Sequence, residues 1–170
     1  TYPGSKVLTS AIEHDSVTSP AQLYNCDTVA VGPDGRLDHT DLDQKIDDQT
    51  VLVSIVYANN EIGTIEPVAE IARWLRGENS RRRAKELPQI VFHTDACQAA
   101  GALDINVEQS HVDLLTMNGS KIYGPKGVGI LFLKRGVKIE PIVRGGGQER
   151  NLRSGTENVP AIVGLAKAFE

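Results

Sequence analysis

Short apolar, β-branched runs recur along the chain at residues 7–10, 28–31, 51–56, 90–92, 114–117 and 128–133, with helical patterns between most of them. The helical candidates cover 16–24, 38–46, 67–75, a short 98–101 and 159–169. A strand buried on both faces reads as a nearly continuous apolar run, and strands of this kind separated by amphipathic helices require a mainly parallel sheet covered on both sides. The expected architecture is therefore α/β, with three layers in α/β/α order. In such sheets ligands gather at the carboxyl ends of the strands. Helix starts are marked locally: Asp38 precedes His39-Thr40-Asp41-Leu42, and Pro67 opens a segment with apolar residues at i, i+3, i+4 and i+7. Gly32-Pro33-Asp34-Gly35 has the chemistry of a turn. Aromatic residues make up only 5%, so Ala, Val, Ile and Leu must fill the core.

The composition excludes several function classes. With 170 residues, 40% hydrophobic and 24% charged, the chain can bury one core. A formal net charge of -4 provides no global basic field, so neither nucleic acid nor an anionic membrane is an expected partner. Arg81-Arg82-Arg83 is a local exception, but flanking acids and the lack of interleaved aromatics make residues 76–86 read as a solvated loop between elements. Two cysteines are too few for a disulfide framework, and no apolar stretch has the length of a membrane span or signal peptide. A reducing cytoplasm is the expected compartment. Residue 1 is Thr, the first strand begins almost at once, and the last helical pattern stops without a glycine or proline terminator, so a piece of a longer polypeptide is expected.

Polar clusters follow several of the predicted strands, as a shared site at one sheet edge requires. They are Glu13-His14, Asn59-Asn60-Glu61-Ile62-Gly63, His93-Thr94-Asp95-Ala96-Cys97-Gln98, and the glycine-lined turn Asn118-Gly119-Ser120-Lys121-Ile122-Tyr123-Gly124-Pro125-Lys126-Gly127. Singly, each reads as easily as a structural turn or a surface residue. A lysine held among small residues at the end of a buried strand can, however, lose its proton and attack a carbonyl. His93, Asp95 and Cys97 alternate and could share a face as metal ligands, but no fourth ligand has suitable spacing, so no metal is expected. An aspartate ending a strand can instead pair with a cationic ring nitrogen. Gly119 and Gly124 have the first spacing of a phosphate loop, yet Pro125 stands where lysine is needed, and no Gly-x-Gly-x-x-Gly or Gly-x-Ser-x-Gly motif occurs. Asn118, Ser120 and Lys121 remain as amide, hydroxyl and ammonium donors able to meet a phosphate monoester while the lysine reaches an aldehyde. Residues 144–156 form a second glycine cluster, which reads as a flexible connector or as an ordered anion-contacting loop that Glu149 could lock by pairing.

Taken together, these stretches resemble the cysteine desulfurase and selenocysteine lyase group of pyridoxal-phosphate enzymes, within the class V aminotransferase family of fold type I. The similarity is carried by Thr9 through His14, Asn59 through Ile65, His93 through Gln98, Ser120 through Gly127 and Gly145 through Thr156, in the family's order across nearly the whole chain. It implies that pyridoxal 5'-phosphate is the cofactor and that Lys121 is the Schiff-base lysine and proton shuttle. It also implies that Asp95 holds the pyridine nitrogen protonated, His14 stacks on the ring, and Gln98 bonds the phenolic oxygen. Asn60 would contact cofactor and substrate, Asn118 and Ser120 would donate to the phosphate, and Thr156 would reach the phosphate of a neighbouring subunit in a homodimer.

Departures from the family pattern accompany these matches. Ser120 stands where the family often has histidine, and a hydroxyl can still donate to phosphate. No counterpart of the amino-terminal phosphate-binding turn precedes Thr1, and the carboxy-terminal small domain, with its substrate-gripping arginine and sulfur-accepting cysteine, is not represented. Neither Cys26 nor Cys97 occupies that cysteine's position. Residues 1–170 are thus expected to be the central part of a cofactor-binding large domain. The resemblance implies a parent enzyme that removes sulfur from L-cysteine, giving alanine and a persulfide passed to an acceptor protein for iron-sulfur cluster or thio-cofactor assembly. The alternatives are a selenocysteine lyase or another class V member, and a non-catalytic module that dimerises with a full-length desulfurase.

Overall fold

The computed structural model describes residues 4–170. Its centre is one six-stranded sheet in the order β2-β1-β3-β4-β5-β6, with β1 Lys6–Ser10, β2 Asn25–Val29, β3 Thr50–Ser54, β4 Val91–Asp95, β5 Leu114–Asn118 and β6 Gly129–Leu133. All neighbours run parallel except the edge pair β5 and β6, which a turn joins antiparallel. Among the described residues five α-helices accompany the sheet: α1 Asp15–Ala21, α2 His39–Lys45, α3 Val68–Ala84, α4 Val107–Ser110 and α5 Val159–Phe169. The α/β class and the mainly parallel sheet are those expected from the strand-helix alternation.

The core follows from the same alternation. Leu8, Val53, Phe92 and Leu115, one from each of four adjacent strands, are almost fully buried with Leu42 of α2 and Ile71 and Leu75 of α3. A second, smaller cluster joins Leu165 of α5 to Ile122 and Ala100. Asp38 caps α2 by accepting from Thr40 N at 2.8 Å and Asp41 N at 3.2 Å, satisfying amides that the first helical turn leaves open.

Three local expectations need correction. The segment 76–86 is not a loop: α3 continues through Arg81 and Arg82 to Ala84. The apolar stripe at 68, 71, 72 and 75 extends at helical spacing to Asn79 and Arg82, so these two polar residues face inward and are satisfied by backbone. Asn79 exchanges two bonds of 2.8 Å with Ile90. Arg82 is 2% exposed and donates to the carbonyls of Pro88, Asp47, Asp48 and Thr50. Second, residues 98–101 form a turn rather than a helix: Gly101 adopts φ +82 and breaks the helical backbone, although Ala100 N bonds Ala96 O and Leu103 N bonds Ala99 O. Third, β2 begins three residues earlier than its apolar run, and α4 is too short for its periodicity to be read.

Arg82→Ala is expected to lower unfolding free energy by on the order of 3–5 kcal/mol, since four carbonyls lose a charged donor. Arg82→Lys should recover less than half, because one ammonium cannot reproduce the planar fork. Urea denaturation of the three proteins measures both.

Candidate active site

The sheet order places a topological reversal between β1 and β3: the chain leaving β1 goes through α1 to β2 on one side, and the chain leaving β3 goes through α3 to β4 on the other. Loops diverging from adjacent carboxyl ends leave a crevice. Here it is a cavity of about 410 Å³ that His14, Asn60, Asp95, Gln98, Asn118 and Lys121 help to line, a volume within the ~300–1,000 Å³ of small-molecule sites.

Each of these side chains is positioned by local structure. His14 caps α1; its Nδ1 accepts from Ser16 N at 3.1 Å, which leaves the proton of the neutral ring on Nε2. Asn59 builds the turn after β3, accepting from Glu61 N at 2.8 Å and Ile62 N at 3.2 Å and donating to Ile12 O at 2.8 Å. That last bond ties the β3 exit to the β1 exit and leaves Asn60 at the cavity. Asp95 ends β4 and is 8% exposed, its Oδ1 accepting from Cys97 N at 2.9 Å and Thr116 Oγ1 at 3.5 Å. Asn118 ends β5 and caps the 3-10 turn Gly119–Lys121, accepting from Lys121 N at 3.1 Å and Ser120 Oγ at 3.0 Å. Gly119 is required there because a Cβ would lie 2.8 Å from Pro125 O. Among the described residues, Lys121 Nζ takes no hydrogen bond or ion pair, so its ammonium stands uncommitted at the cavity wall.

Two expected site residues lie elsewhere. Ser120 is exposed, with its hydroxyl turned to Asn118, and Thr156 is exposed in the loop beyond the 3-10 turn Glu149–Asn151; neither lines the cavity. That loop is hydrogen-bonded, with Ser154 Oγ donating to Val143 O at 3.2 Å and Gly155 N to Gln148 Oε1 at 3.2 Å. Glu149 does not lock it; Arg144 pairs instead with Glu140 at 3.7 Å. His93 is structural: Nδ1 meets Ser54 Oγ at 2.7 Å and Nε2 meets Thr116 Oγ1 at 3.2 Å. Burial holds its pKa below the ordinary value, against the opposing charge of Asp95.

Sequence reasoning assigned no role to Glu13, although it stands directly after the strand and before His14. It lines the cavity, where burial, with a further push from the Asp95 charge, raises its pKa to about 7. Cys97 also lines the cavity, and burial followed by the hydrogen bond and charge of Asp95 pushes its thiol up to about 12, with Asn118 and Lys121 opposing. A buried carboxylate, an uncommitted ammonium, an imidazole and the amides of Asn60, Gln98 and Asn118 around one cavity suit a polar ligand with a cationic ring nitrogen and an electrophilic carbon.

A family model described as aminotransferase class-V matches residues 1–170. The chain belongs to the class V aminotransferase family. It is 44% identical over 172 residues to the protein named cysteine desulfurase IscS of Clostridium botulinum (strain Hall), an alignment covering 98% of this chain and 41% of that protein. Cysteine desulfurase IscS 1 of Archaeoglobus fulgidus is also 44% identical, with 98% and 42% covered. The chain thus spans about two fifths of the length of these relatives. Among solved structures, a NifS-like protein superposes with TM-score 0.88 at 38% identity, over 97% of this chain and 44% of that one. SspA in complex with cysteine superposes with TM-score 0.88 at 32% identity, over 99% and 48%. The family is the one the sequence motifs resemble, and the neighbours share its fold type I architecture.

The raised Cys97 pKa has a chemical consequence for this class V site. A shift from 9.0 to about 12 leaves roughly a thousandfold less thiolate near pH 8. Iodoacetamide is expected to alkylate Cys97 slower by that order than an unshifted thiol, and Asp95→Asn to accelerate it. Time-resolved peptide mass spectrometry reads both; rapid alkylation of Cys97 in the unaltered protein would contradict the geometry.

Proposed function

We propose that this chain is the cofactor-bearing part of a pyridoxal-phosphate-dependent cysteine desulfurase. The observation that carries the reading is the meeting of Asp95 and Lys121, from the ends of different strands, on one cavity at the topological reversal. The names of its relatives as cysteine desulfurases, and a structural neighbour in complex with cysteine, support L-cysteine as the substrate.

The residues fit the cofactor on chemical grounds. Asp95 is buried, with one oxygen fixed by Cys97 N, so it offers a carboxylate to a pyridinium nitrogen at no further ordering cost. Lys121 offers an unpaired amine to the aldehyde carbon. His14 is held by its cap bond, so its ring can lie on the cofactor face. Gln98 offers an amide to the phenolic oxygen, and Asn60 is available to cofactor and substrate. Asn118 Oδ1 is already occupied by two donors, so its amide group faces outward, where it meets the Cys97 thiol and has a second hydrogen to offer a phosphate. When bound, the cofactor supplies an electron sink for cleavage of a bond at the substrate's α-carbon.

In this reading Lys121 would move the proton at the substrate's Cα, and the walls formed by Ile12 and Val56 limit water. Cys97 is a neutral thiol and Cys26 lies on β2 away from the cavity, so sulfur passes to a cysteine outside these residues and then to an acceptor protein. The exposed Thr156 is assigned to the phosphate of a second subunit, making the working unit a homodimer.

Incubation with pyridoxal phosphate, borohydride reduction and peptide mass spectrometry are expected to place a pyridoxyl group on Lys121. Lys121→Ala should carry none. Equal labelling of both proteins, or a label confined to other lysines, would sink the assignment.

A further inference from the structure

At the point where β1 and β3 part, the Glu13 side chain bridges the gap. Glu13 Oε1 accepts from Ser10 Oγ at 2.5 Å, at the end of its own strand, and from Val56 N at 2.5 Å, just beyond β3. The same carboxyl's other oxygen, Oε2, is buried and has no hydrogen-bond partner; among the described residues it is the one side-chain polar atom in that condition. Ser10 is fully buried and Val56 nearly so, so the bridge lies away from bulk water. An ionised carboxylate here would have an oxygen carrying charge with no donor, at a cost well above that of a buried neutral hydroxyl.

We propose that Glu13 is a positioning residue of the cavity: as a neutral acid it clamps the turn bearing His14 to the exit of β3, and its ionisation releases that clamp and weakens ligand binding. The role in ligand binding rests on the pyridoxal-phosphate reading above. Glu13 reaches the ligand through His14, which follows it in sequence and caps α1, and through the β3 loop, which Val56 leads into Asn59 and Asn60. Asn59 Nδ2 to Ile12 O is the second tie between the loops, so losing Glu13's bond loosens a junction that otherwise has one remaining side-chain link.

The titratable groups facing Glu13 are Asp95 of β4, Cys97 after it, Glu61 of the β3 loop, Lys121 across the cavity and the adjacent His14. The Asp95 charge opposes ionisation of Glu13, whereas the bonds from Ser10 and Val56 favour it; burial outweighs both bonds. The folded protein therefore holds a proton on Glu13 that the unfolded chain releases. Stability from this group is complete below the ordinary value of 4.5 and is lost as pH rises through about 7.

Two measurements test the clamp with this chain. Without any ligand, the melting temperature of the unaltered protein should fall between pH 5 and pH 7.5 relative to Glu13→Gln, which keeps an oxygen acceptor but cannot ionise. Ser10→Ala, which removes a bond that favours the charged form, should move the transition to higher pH and covers the case in which Glu13→Gln folds poorly. Affinity is then read with pyridoxamine 5'-phosphate, which cannot form an imine with Lys121. From pH 6 to pH 8.5 its dissociation constant for the unaltered protein should rise about tenfold relative to that for Glu13→Gln. Parallel melting profiles, or a Glu13→Gln defect equal at every pH, would overturn the clamp. Divergent melting profiles with no pyridoxamine phosphate binding at any pH would overturn the cofactor reading, and with it the clamp's part in holding a ligand.

Discussion

The reversal of chain direction between β1 and β3 is the constraint on which the site depends. Parallel strands bring every carboxyl end to one edge, but adjacent loops that continue in the same direction pack against each other and close it. Only where one chain turns toward β2 and its neighbour toward β4 do the loops separate, and His14, Asn60 and Asp95 gather at that separation. The antiparallel hairpin of β5 and β6 adds the fourth wall, with Gly119 permitting the tight turn that sets the exposed Lys121 at the cavity rim.

One buried carboxylate organises the electrostatics around that opening. Asp95 opposes ionisation of both Glu13 and Cys97, and in each case burial is the larger cause. The pKa of Glu13 is thereby raised to about 7 and that of the Cys97 thiol to about 12, while Lys121 stands unpaired. In the proposed reading, a buried carboxyl group and an uncommitted amine on one cavity pair with a ligand that presents a cationic ring and a carbonyl carbon. The chain that carries this arrangement spans about two fifths of the length of its relatives.

Several features were readable from residues alone because their causes are local. Asp38 announces α2, the run at 159–169 is the helix α5 to the residue, and the polar clusters after the strands do meet at one edge. Errors arose where side-chain polarity was taken as a guide to exposure. Arg82 and Asn79 continue the buried stripe of α3 because backbone carbonyls and amides from the β3 and β4 approaches satisfy them, and no local pattern records those partners. Glu13 carries no local signal for a related reason. Its significance lies in a bond to Val56, 43 positions away.

The order of apolar runs and helical patterns determined the α/β class, and the spacing of glycines, asparagines and charged residues after those runs determined which chemistry could be assembled. These are consequences of backbone periodicity and turn geometry, which act over a few residues. Tertiary structure alone decided that Asp95 and Lys121 share a cavity while Ser120 and Thr156 stand outside it, and that the Cys97 thiol and the Glu13 carboxyl both titrate well above their ordinary values. Burial and proximity set those outcomes, and both are fixed only when distant strands pair and their loops part.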